Sequence, residues 1–220
     1  MTETNEARTE TGRPGGHSRG ARRAALVTAA NDLFSRRPYD DIFIDEIAQE
    51  AGVAHGLLFY HFKDKRGLYL EVLRQAVEEI IALHQPAEEE DTPDQRLRAV
   101  LRRQIEYRRD HVHTTLALMR AGGQDPEIDE LFERSRRAGA AFVLGLVGIE
   151  EPVPPRLRAA VRGCMGFVDE MTIDWLTHDG DLAIDDLVEL AHTGVVAVLS
   201  KVCGDHLVGQ DIIERLYPST

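Results

Sequence analysis

The chain has 220 residues, with 26 Lys and Arg against 38 Asp and Glu, a formal net charge of -12, and two cysteines. That length allows one or two domains with a real core; no apolar run reaches the eighteen or so residues that cross a bilayer, and the polar start is unlike a secretory signal, so a cytoplasmic protein is expected. Residues 1–66 hold ten bases and ten acids, whereas residues 67–220 hold sixteen bases and twenty-eight acids, so a neutral N-terminal third can approach phosphate while the acidic remainder faces away.

Residues 1–20 show no hydrophobic periodicity and read as a disordered basic arm. Arg13, Arg19, Arg22 and Arg23 gather near its end, where they can reach a DNA backbone or minor groove, or simply form a solvated tail. From Ala21 onward Leu26, Ala29, Ala30, Leu33 and Phe34 recur at helical spacing, and Pro38 ends that helix by forcing the preceding residue out of the helical region. Ile44, Ile47, Ala48 and Ala51 predict a short second helix. Gly52 stands where a helix end favours a left-handed residue, Val53 plugs the turn, and His55 to His61 form a third short helix with Leu58 inward. Two short helices across a tight turn are the geometry that lays one helix in a major groove and braces it with the other.

The remainder reads as helical to its end. Helices are predicted over Leu68 to Leu83, from Thr92-Pro93 to about Asp110, over His113 to Ala121, after Asp125-Pro126 to about Val147, from Arg156 to about Thr177 and from Ile184 to Val202, with a short one from Asp205 to Tyr217. Thr92 and Asp125 are helix-capping residues followed by proline at the first helical position. Nothing reads as a strand. Cys164 and Cys203 lie in apolar stretches without metal or redox spacing, as small core residues.

The string from Asp45 to Lys65 resembles the N-terminal DNA-binding domain of the TetR family of repressors. Ile47-Ala48, Ala51-Gly52-Val53, Gly56, Leu58, His61-Phe62 and Lys65 match its pattern I-A-x-x-A-G-V-S-x-G-T-L-Y-x-H-F-x-x-K, and Ala29-Ala30 with Leu33-Phe34 match the preceding helix. The resemblance is strong over residues 22 to 72 and covers the rest in layout only. It implies an all-α protein of about nine to ten helices, with a helix-turn-helix domain over 21–67 and a ligand-binding and dimerisation domain over 68–220. It further implies a homodimer that binds a near-palindromic double-stranded DNA operator and responds to a small-molecule effector, most simply as a ligand-released repressor, with activation as the alternative. No cofactor or metal is implied.

By that match His55, Gly56, Tyr60 and His61 would face base edges or flanking phosphates, with Lys63 and Lys65 near the backbone. The family usually has Thr or Ser where this chain has Phe43, Ala54 and Leu57, and Tyr where it has Phe59. Phe43 and Ala54 thus remove side-chain caps worth about 1 kcal/mol each, while Leu57 can pack on a thymine methyl and Phe59 lacks a phosphate-reaching hydroxyl. Tyr60 and His61 also fit plain surface positions, and Lys63 and Lys65 a solvated charge pair.

In the body, small residues such as Ala159, Gly163 and Gly166 on one helix, and Leu187, Leu190, Gly194 and Val198 on the next, suit a four-helix dimer bundle over about residues 156–202, or burial within one subunit. Arg103, Tyr107, Met119, Phe142, Met165, Met171 and Trp175 mix apolar walls with polar groups as a ligand pocket does, and each also fits ordinary core. A helical small-molecule enzyme is the competing class, but G-x-S-x-G, P-loop, H-E-x-x-H and G-x-G-x-x-G motifs are absent. An architectural DNA-binding protein would call for a far more basic chain.

Overall fold

In the computed structural model, residues 19–87, 89–120 and 123–203 are described. Most of the basic arm, the turn at Gly122 and the helix expected over 205–217 lie outside them. Among the described residues the secondary structure is helical: α1 Arg19–Arg36, α2 Ile44–Glu50, α3 Gly56–Phe62, α4 Lys65–Ala82, α5 Pro93–Asp110, α6 Val112–Arg120, α7 Pro126–Leu146, α8 Pro155–Thr177 and α9 Ile184–Cys203. The first helix starts two residues before the sequence pattern sets in, taking Arg19 and Gly20 out of the arm. A 3-10 turn at Tyr39–Asp41, which the apolar periodicity does not announce, follows Pro38.

The helix ends show their local causes. Thr92 accepts from the Gln95 N–H while Gln95 reaches back to the Thr92 N–H, a complete capping box, and Asp125 accepts from the Glu127 and Ile128 N–H groups. Asp64 caps α4 by accepting from the Gly67 N–H at 2.7 Å. Phe43 caps α2 in an extended conformation with no side-chain hydrogen bond, as its sequence predicts. At α3 the N-cap is His55, one residue after Ala54, and its side chain too makes no capping bond; two acids, Asp45 and Glu46, instead complement the helix dipole of α2.

Two cores result. The first takes Leu26, Ala30 and Phe34 from α1, Ile47, Leu58 and Phe62 from the helix pair, and Leu68 and Leu73 from α4. It continues into Leu118 of α6 and Leu131 of α7, so the helix-turn-helix rests directly on the helical body. The second core lies among α5, α7, α8 and α9, with Ile105, Val143, Val161, Val188, Val195 and Leu199. Burying each such side chain contributes roughly 1.5–3 kcal/mol. The helix α4 packs along α7, α5 along α9, and α8 along α9.

Cys164 and Cys203 are buried and unbridged. Burial pushes the Cys164 thiol up to about 11, which keeps it out of thiolate chemistry. No helix among the described residues is long and apolar enough to cross a membrane.

Candidate nucleic-acid interface and ligand cavity

The pair α2–α3 is held by its inner face and free on its outer one. Ile47 and Leu58 are wholly buried, Ala48 nearly so. The Val53 N–H closes the turn on the Ala48 carbonyl at 3.0 Å, and Gly52 adopts φ 61, where a side chain would be strained. Phe43, Phe59 and Tyr60 are exposed at 69%, 44% and 57%. Large aromatic side chains left in water on one short helix and the residue capping its neighbour mark a surface that meets something else.

Polar groups on this face are arranged rather than scattered. Asp45 contacts Nδ1 of His55, whose ring tilts against Phe59 at 5.2 Å, so Nε2 is the imidazole edge left for a partner. The Arg19 guanidinium lies 4.7 Å from the Tyr60 ring centroid, and Arg23 lies over Phe62 while pairing with Glu71 at 2.6 Å. The start of α1 therefore reaches the recognition helix. Asp45 was not singled out in the sequence because its partner lies ten residues away across the turn.

Several expected contact residues are placed more deeply than their motif positions suggest. Leu57 is half-buried and packs on the first core, while Ala54 and Gly56 are exposed and leave room beside the helix start. His61 is half-buried, with Nε2 unpartnered among the described residues. Lys63 is exposed, with φ 73 at the end of α3. The ammonium of Lys65 donates to the Tyr39 carbonyl and sits 4.0 Å from the Tyr39 ring centroid, and burial lowers its pKa. Tyr39 in turn packs on Phe34 and Tyr69. Lys65 thus fastens the 3-10 turn to α4.

The body holds a cavity between α5, α7 and α8, closed by Val195 of α9 and His84. Of the seven residues expected to line a pocket, Phe142 and Met165 do so. Arg103 is instead paired with Glu90 and hydrogen-bonded to the Leu83 carbonyl. Tyr107 donates to Glu79 at 2.8 Å and stacks on His111; burial raises its pKa. Met119 borders a smaller gap shared with Arg108 and Phe132. Met171 packs against the second core. Trp175 donates its indole N–H to the Leu182 carbonyl at 2.9 Å and is buried at the far end of α8. These five are turned away because each has a nearer local partner or sits on another helical face.

The polar side of the cavity comes from residues that composition did not flag. Arg108 is buried, with Nη2 3.4 Å from Asp169, and Asp169 also accepts from Arg136 Nε at 2.8 Å. His84 lies between the Ile81 carbonyl and Gln104, and burial lowers its pKa. The signal was present in part: Leu97, Leu101, Gln104 and Arg108 share one helical face, so a charge sits on an apolar stripe.

A tightly turned helix pair with an exposed aromatic and imidazole face, resting on an all-helical body, defines a helix-turn-helix DNA-binding protein. Residues 26–72 match the family model of the bacterial regulatory proteins, tetR family. The chain is 28% identical to the HTH-type transcriptional activator FasR of Mycolicibacterium smegmatis over 198 residues, 86% of this chain and 90% of that one. A tetR-family transcriptional regulator from Streptomyces coelicolor superposes with a TM-score of 0.80 at 26% identity, over 90% of this chain and 89% of the other. The transcriptional regulator FadR from Bacillus subtilis, solved with stearoyl-CoA, shares the fold at a TM-score of 0.61 and 18% identity, over 80% of this chain and 97% of that one. Residues 26–72 thus form a DNA-binding domain of the tetR family, and the chain is similar over most of its length to transcriptional regulators of that family. It is a DNA-binding transcriptional regulator and not an enzyme.

Proposed function

We propose that this regulator acts in the cytoplasm as a homodimer on a near-palindromic operator, and that a small molecule in the body cavity changes its affinity for DNA. The observation that carries the dimer is the outer face of α8 and α9. Phe167, Leu190 and Val198 are exposed there at 40%, 53% and 40%, beside Ala159, Gly163 and Ala197, which are also exposed. The Phe167 ring lies so close over Gly194 that any Cβ there would overlap it, so the two helices present one flat, apolar strip. Such a strip is self-complementary about a two-fold axis and would complete a four-helix bundle.

Two copies joined this way carry two recognition helices at a fixed spacing, which is what a palindromic site reads. A ligand that binds one spacing better than the other shifts the population and with it DNA affinity. Ligand-released repression is the reading adopted for an operator that overlaps a promoter. Activation is the second reading, favoured by the similarity to FasR, which is named an activator.

The strip is tested by Leu190→Arg. Sedimentation should give a dimer for the wild-type protein and a monomer for the variant, with operator affinity falling at least a hundredfold while the helical circular dichroism is kept. A variant that stays dimeric and binds DNA normally would overturn the interface.

A further inference from the structure

The cavity between α5, α7 and α8 is apolar along most of its wall and charged at one end. Leu97, Val100, Phe142, Met165 and Val195 supply the apolar side. At the other end three guanidiniums, Arg108, Arg136 and Arg162, meet two carboxylates. Arg162 holds Glu133 through two bonds of 2.6 Å, and Asp169 is shared between Arg108 and Arg136. His84 adds no charge: its Nδ1–H donates to the Ile81 carbonyl, leaving Nε2 to accept from Gln104. The cluster therefore retains one positive charge, next to an apolar wall.

That charge has unpartnered donors. Arg108 is 5% exposed, and its Nε and Nη1 find no hydrogen-bond partner within the described protein. The Thr115 hydroxyl, 3% exposed and likewise unpartnered, borders the same gap beneath Arg108 that Phe132 and Ser135 share with the main cavity. Buried guanidinium N–H groups without an acceptor are costly, and a carboxylate is the acceptor that both takes up such a donor and neutralises its charge. The free space is small, about 50 Å³, enough for a few waters or a small group. A larger ligand must displace the flexible Met165 and the Phe142 ring.

We propose that the effector is a small amphipathic carboxylic acid, its carboxylate on Arg108 and Thr115 and its apolar body between α5, α7 and α8. This rests on the ligand-responsive reading above and names the chemistry of its ligand. A monoanion leaves the cluster neutral, whereas an amide satisfies the donors but not the charge, and an amine adds to it. A dianionic phosphate would leave the cluster with an excess negative charge in an apolar chamber.

The test uses the full-length protein and three probes of matched shape: hexanoate, hexanamide and hexylamine. Calorimetric titration should show hexanoate binding at least tenfold tighter than hexanamide, with no binding of hexylamine. In Arg108→Gln the acid and the amide should bind within twofold of each other. Should that variant fail to fold, Arg108→Lys supplies the comparison, keeping charge but losing the guanidinium donors, with the acid preference falling at least threefold. Met165→Trp, which fills the apolar side, should weaken acid and amide alike. Equal binding of acid and amide to the wild-type protein, a tenfold acid preference retained without the guanidinium donors, or no binding of hexanoate would each overturn the proposal. Amide or amine binding that Met165→Trp abolishes, together with a change in operator affinity, would overturn the acid and leave the ligand-responsive regulator standing.

Discussion

At the scale of single residues, the interface shows how a basic side chain near DNA divides its work. Lys65 is the family-matched phosphate contact by sequence, yet its ammonium holds the Tyr39 carbonyl and covers the Tyr39 ring. Lys65→Ala should therefore lower folding stability by about 1.5–3 kcal/mol, the worth of a hydrogen bond from a charged group, in urea denaturation, besides weakening operator binding. Unchanged stability together with unchanged operator affinity would show that neither contact matters. Lys63 presents the opposite case: it is exposed and held at φ 73, a conformation costing about 1 kcal/mol or more for a residue with a side chain. Lys63→Gly should raise stability by about that amount and reduce the slope of operator affinity against salt by about one phosphate contact. The motif located these lysines, but their different surroundings arise from the 3-10 turn and from the dihedral that closes α3, neither of which hydrophobic spacing encodes.

At the scale of helices, the parts set by neighbouring residues were legible and the parts set by distant faces were not. Thr92-Pro93 and Asp125-Pro126 placed the starts of α5 and α7 because a cap and a proline act within one turn. The cavity needed a meeting that no window of sequence contains, since Arg108 and Asp169 stand 61 residues apart and face each other only after α5 and α8 pack. The helix α7 links the two regions. Its middle lines the cavity, and its first turn holds Arg66 of α4 through Asp125 and Glu127. Displacement of α7 by a ligand would thus reach the start of α4, two residues from the Asp64 cap that follows the recognition helix.

Helix packing also fixes a pH response. His84 and His192 both have pKa values lowered chiefly by burial, with nearby arginines adding to it. The folded protein therefore takes these protons less readily than the unfolded chain, whose histidines titrate near 6.5. Between those values the unfolded state binds more protons, so stability falls as pH drops through about 6.5 and levels off below the folded pKa values. The melting temperature should decline between pH 7.5 and 5.5, and less steeply in His84→Gln. An unchanged slope in that variant would remove His84 from the response.

At the scale of the molecule, the uneven charge and the two cores fit one design. The first core, built by α1 to α4 with Leu118 and Leu131 from the body, presents the aromatic face; the second, built by α5 and α7 to α9, encloses the cavity and leaves an apolar strip outside. A net charge of -12 is compatible with DNA binding because the acids lie mostly beyond residue 66. The family and the all-helical architecture were legible because Gly52, Val53, Leu58 and Phe62 are dictated by a local turn and its plug. The effector chemistry was not, because it depends on one unmatched charge in a packed interior.

Operator recognition through the α3 face is tested most directly by selection of DNA by the purified protein from a random duplex library, followed by anisotropy measurements on the enriched site with wild-type protein and Tyr60→Ala. An inverted repeat bound with strong salt dependence is expected, with at least a tenfold loss of affinity for Tyr60→Ala and no loss of folding. Failure to enrich any sequence, or a site bound equally well by both proteins, would contradict recognition through that face.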